Sequence, residues 1–175
     1  MAIVIPEVTA RAGASQSSSD VFLHVQTRRA GKIKGESTLG GHEDDILLTT
    51  WNWGLSAASA IGSTQATGRR SYTALTVQKT IDQATTALMS ALATNDPVKE
   101  ARLTMRRAGG EQEDYFILTL KDARITGVSH ATGADGATVE TVQFAFTKVE
   151  VEYRPQKQTG GRGGSFTFTD ELVSA

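Results

Sequence analysis

His42 opens the run His42-Glu43-Asp44-Asp45, a compact group of metal-ligating residue types. A calcium loop needs oxygen ligands spaced through a turn, and a zinc helix needs paired histidines one turn apart. The run offers neither, so it reads as a solvated loop ahead of a strand, and no metal is expected there. His24 and His130 are the remaining histidines. None of the three stands beside a GxSxG nucleophile elbow. Triads assemble in space, so spacing leaves a hydrolase reading open, in which a pocket holds one of these histidines beside a carboxylate. The plainer reading is strand or surface histidines and no catalytic residue. The chain has no cysteine, which removes thiolate nucleophiles, disulfides and Cys-based zinc sites.

Three other groupings bear on binding. GGRGG at 160–164 is glycine-rich like a phosphate loop, but it lacks GxxxxGK[ST] and does not open a helix. Arg69-Arg70 and Arg106-Arg107 are local basic pairs, whereas nucleic-acid binding wants a wider patch with interleaved aromatics. Lys plus Arg number 18 against 19 Asp plus Glu, and the net charge of −1 gives no pull toward nucleic acid or an anionic membrane. The near balance does permit association with further copies. Trp51 and Trp53 stand two residues apart, on one face of a strand. Such a pair is either a sugar-stacking platform or, more often, a set of core or subunit-interface anchors. No cofactor is expected.

The elements that must position these residues follow from patterning. A chain of 175 residues fits one domain. No apolar run approaches the ~20 residues of a spanning helix, so no membrane insertion is expected. The first residues lack a basic segment, and the apolar run from Ala2 ends at Pro6, so export through a cleaved Sec signal is not expected. Residues 1–20 are serine-rich and poor in large apolar groups, and read as a flexible arm ahead of a domain at 21–175. Strands are predicted at 21–25, from Ile33, at 45–53, 72–79, 101–106, 115–121, 123–128 and 165–170. Within 45–53, alternation puts Leu47, Thr49, Trp51 and Trp53 on one face, and Ile46, Leu48, Thr50 and Asn52 on the other. Residues 35–45 and the small-residue stretch 54–71 read as loops.

Ala84, Ala87, Leu88, Ala91 and Leu92 repeat at helical spacing, with Asp82 as cap and Asn95 and Pro97 as stops. In 139–154 the apolar set shifts parity between Phe146 and Val149, which predicts a bulge or bend near Thr147. The sum is a mainly β chain: an antiparallel β-barrel or sandwich with one flanking α-helix.

Particular strings say more. GKIKGES at 31–37, His42, and Ile46 leading into WNWG at 51–54 resemble the opening of the haemolysin-coregulated protein (Hcp) family. KTID at 79–82 with its following helix, RLTMRRAGG at 102–110, and VEVEYRPQ at 149–156 resemble its middle and end, so the ordered likeness covers roughly 21–156. The resemblance implies a non-enzymatic tube protein of bacterial type VI secretion. It implies an antiparallel β-barrel with one helix, assembling into hexameric rings that stack around a wide channel. A contractile sheath drives this tube outward, a spike protein sits at its tip, and small effector proteins travel in its lumen. In the family pattern the small polar residue between the tryptophans lines the channel. Here that is Asn52, with Thr50 on the same face as a second lumen candidate. Loops 35–45 and 54–71 are the candidates for ring-to-ring contact. The rival reading is a monomeric ligand- or carbohydrate-binding β module that uses Trp51 and Trp53.

Overall fold

The computed structural model describes residues 20–108, 112–155 and 164–172. The arm assigned to 1–20 therefore lies outside the described residues, except that Asp20 already opens the first strand. The GGRGG segment at 160–164 also lies outside them apart from Gly164.

Strand β1 (Asp20–Thr27) buries Phe22, Leu23 and Val25 completely. Gly31, at φ 77, turns the chain back into β2 (Gly31–Ile33), in the left-handed region that glycine enters without steric cost. The single strand expected over 45–53 is two: β3 (Ile46–Leu47) pairs with β1, and β4 (Thr50–Asn52) pairs with β7 (Leu75–Lys79). Between them the amide of Leu48 bonds Val21 and that of Thr49 bonds Gln78. The chain thus crosses from one layer to the other within two residues. One alternation cannot survive that crossing, so Ile46 is buried, Leu47 is exposed, and Trp51 is turned inward on the opposite parity.

The stretch 54–71, expected as a loop, is an antiparallel hairpin of β5 (Leu55–Ser59) and β6 (Ala66–Tyr72). Helix α1 (Thr85–Ala93) sits where the apolar repeat predicts, burying Ala84, Leu88 and Ala91. Asp82 does not occupy the cap position itself, which is Ala84. Its carboxylate accepts the Ala84 amide at 2.9 Å, one turn ahead of the helix. Asn95, at φ 56, ends the helix in the left-handed conformation that Asn tolerates. Asp96 then accepts the amides of Arg29 and Ala30, tying the helix end to the β1–β2 turn.

Strand β8 (Val98–Arg106) joins β1 to β9 (Asp114–Thr132). The two strands expected at 115–121 and 123–128 are one, bent at Asp122, whose φ is 48. β10 (Thr138–Ala145) and β11 (Lys148–Tyr153) run back along its two halves, and the break between them falls at Phe146 and Thr147, where the parity shift places it. Thr147 Oγ1 donates to the carbonyl of Asp122 at 3.2 Å, so the two bends are fastened together. β11 carries the last strand, β12 (Phe166–Glu171).

One layer therefore holds β2 and β3 with β1, β8, the first half of β9, β11 and β12. The other holds the second half of β9 with β10, β7 and β4. Helix α1 packs on β9. The fold is mainly β, antiparallel and flanked by one helix, as the sequence predicts. The barrel itself does not close: among the described residues no ladder joins β4 to the opposite layer. Instead side chains close the gap, with Trp51 stacked on Phe116 at 5.8 Å between ring centres.

Candidate functional site

Strand β4 presents Thr50 and Asn52 outward, both exposed, and Trp51 inward and half-buried. Pairing with β7 sets this alternation, since Trp51 stands opposite the fully buried Val77. Thr50 Oγ1 donates to Gln78 Oε1 at 2.8 Å, which leaves the amide side chain of Asn52 as the more available polar group. Trp53 is half-buried and lies 5.7 Å from Tyr72 between ring centres. Each indole thus has an aromatic neighbour from another element.

Hairpin β5–β6 leaves the body beside this strand. Every described side chain from Leu55 to Ser71 is exposed. Its base is held by one carboxylate on β12. Asp170 accepts hydrogen bonds from Arg70 Nε, from Arg70 Nη2 at 2.8 Å and from Tyr72 Oη at 2.6 Å. The bonds from Arg70 and Tyr72 outweigh partial burial and hold the Asp170 carboxyl at about 2. Beyond Asp170 the same face of β11 and β12 carries Tyr153, Phe166 and Phe168, with exposures of 42%, 68% and 42%. An exposed aromatic row at a sheet edge, here β12 and the adjoining end of β11, is surface suited to a partner.

Loop 35–45 is held firmly. His42 is buried, stacks on Phe22 at 4.2 Å, and reaches Asp45 Oδ2 at 2.9 Å through Nδ1 and Asp114 Oδ1 at 3.0 Å through Nε2. Both ring nitrogens thus face carboxylates. Burial opposes ionisation of Asp45, but hydrogen bonds from His24, His42 and Lys32 outweigh it and hold the carboxyl well below the usual carboxylate range. Arg106 completes the set, donating to Asp114 at 3.1 Å and to the Gly40 carbonyl at 2.9 Å. At Gly35 an added Cβ would overlap the backbone of Asp45, so the loop closes on itself only with glycine there.

The three histidines do not gather at one site: His24 and His42 share Asp45, while His130 stands 3.6 Å from Glu140 on the other layer. A cleft of about 440 Å³ is lined by Arg106, Asp114, Glu152 and Arg154 among others, and no histidine lines it. Among the described residues no group of three or more His, Asp or Glu is arranged to hold a metal ion. The polar clusters are spent on holding elements together. Arg70, Tyr72 and Asp170 escaped sequence reading beyond the Arg69-Arg70 pair, because their partners stand about a hundred residues apart in the chain.

Fold and surface define a mainly β protein with one flanking helix and an exposed hairpin. Residues 22–153 match the family model of the type VI secretion system effector Hcp. The chain is 34% identical over 149 residues to protein hcp1 of Pseudomonas aeruginosa, covering 83% of this chain and 89% of that one. It is 26% identical over 124 residues to the major exported protein of the same organism, covering 66% and 72%. A solved type six secretion system protein superposes with a TM-score of 0.77 at 25% identity, covering 89% of this chain and 96% of that one. The chain belongs to the Hcp family of type VI secretion proteins. It is a structural protein of that system and not an enzyme.

Proposed function

We propose that this chain is the ring-forming subunit of the type VI secretion inner tube. Six copies close a ring around a wide channel, and rings stack into a tube. A contractile sheath drives the tube outward behind a spike protein, with small effector proteins held in the lumen. Assembly takes place in the bacterial cytoplasm, and the tube is then exported. The major exported protein of Pseudomonas aeruginosa, a relative at 26% identity, supports export as such.

The observation that carries this reading is the hairpin. A two-stranded ribbon with no buried face is marginal on its own in water, yet β5–β6 projects with every described side chain exposed except Tyr72 at its base. Such a ribbon gains its packing from another molecule. Stacking needs a contact that repeats without closing, while the ring needs a heterologous contact that closes after a fixed number of copies. The hairpin serves the first. The exposed row of Phe166 and Phe168 on the edge strand β12, with Tyr153 beside them on β11, serves the second. Asn52, with Thr50 beside it, supplies the polar lining of the channel, and Trp51 and Trp53 anchor that strand from behind.

The experiment is removal of the hairpin turn at residues 60–64. Rings should keep their solution mass while stacked tubes disappear from electron micrographs. Shortened chains that stack like the full-length chain contradict the reading.

A further inference from the structure

We infer that Asp170 is a positioning residue for ring-to-ring contact, fixing the angle at which hairpin β5–β6 leaves the body; the inference rests on the stacking role proposed above. Among the described residues, the other side-chain hydrogen bonds of the hairpin stay inside it: Ser56 with Ser71, Ser59 with Gln65, and Ser63 with Gln65. Among the described residues, the hairpin's side-chain bonds to the body go to β12, to the Asp170 carboxylate and to the Glu171 carbonyl, which accepts from Arg70 Nη2 at 3.2 Å. The guanidinium is planar and meets the carboxylate with two donors, so it sets orientation as well as distance.

The anchor is itself rigid. Asp170 stands opposite Val149, which is 1% exposed, and its Oδ1 also accepts the Glu171 amide at 2.9 Å. On the hairpin side Tyr72 is braced by Phe146, edge-on at 5.5 Å, and by Trp53. Small changes of angle at this base become large displacements at the exposed turn near Ile61. A contact made at the far end of a ribbon therefore depends on the carboxylate at its root.

The test compares the wild-type chain with D170N and R70M, which break the same anchor from opposite sides. Solution mass reads the ring, electron microscopy reads the stack, and hydrogen exchange reads the hairpin. Both variants should keep the wild-type ring mass. Ring-to-ring association should weaken by about tenfold or more, the worth of one charge-assisted hydrogen bond. Amides of residues 55–59 and 68–72 should exchange faster. A charge-swapped R70D/D170R chain should regain stacking. Wild-type chains that form no rings overturn the tube reading and this role with it. Wild-type chains that stack beside D170N and R70M chains that stack equally well overturn the role of Asp170 alone.

Discussion

Nζ of Lys79 lies 2.8 Å from Oε2 of Glu140, with both side chains withdrawn from solvent. The same ammonium meets Asp82 Oδ1 at 2.8 Å and Thr85 Oγ1 at 3.2 Å. Thr85 Oγ1 donates in turn to Glu140 at 2.6 Å. One buried cation thus fastens the start of helix α1 to strands β7 and β10. Breaking such a pair from one side strands the remaining charge, which typically costs about 3–5 kcal/mol. The Lys79→Met chain should lose stability on that scale in urea unfolding. A K79M/E140L double variant should recover part of the loss, and a K79M chain as stable as wild type would show that the pair holds nothing.

Acid should loosen the 35–45 loop. In the folded chain Asp45 titrates below its unfolded value of about 3.9. A depressed carboxyl contributes stability that is present above the unfolded value and is lost as pH falls toward the folded one. Asp45→Asn removes this term, so its stability should fall less steeply than wild type from about pH 4 downward. The measurement is the urea midpoint across that range, and parallel curves would contradict the assignment.

Leu88 is the buried knob of the helix. Leu88→Ala should cost about 2–5 kcal/mol through lost burial and the cavity left behind. The cost should appear in the unfolding midpoint with little change in the denaturant slope.

Asn52→Ala should leave the ring mass unchanged, because its side chain is exposed and its backbone pairing with Thr76 does not depend on it. Retention of a co-expressed effector by the ring should fall. Retention unchanged in Asn52→Ala, with losses from substitutions elsewhere on the surface, would remove this residue from the lumen.

The parts of the fold that bury apolar side chains in a regular period were legible. Helix α1 could be read from Ala84, Leu88 and Ala91, and the bend at Thr147 from the parity shift of Val149. Hairpin β5–β6 was not, because alanine, serine and glycine have weak strand preference and the ribbon has no buried face to impose a period. The break between β3 and β4 escaped for a related reason. Leu48 and Thr49 suit a strand locally, and only their bonds to Val21 and Gln78 show that the chain is changing layers there. Asp122 gave no sign of its left-handed bend, and a continuous β9 was cut in two. Of the candidate site, Asn52 was named from the family resemblance, and it stands exposed on β4. The Arg70–Asp170 anchor did not, since contacts between distant strands leave no local pattern.

The most direct test is the solution mass of the purified chain, taken with negative-stain images of the same sample. Ring formation predicts a species six times the 18.6 kDa of one chain, seen end-on as annuli with an open centre. A species that stays at 18.6 kDa at high concentration, with no annuli, contradicts it.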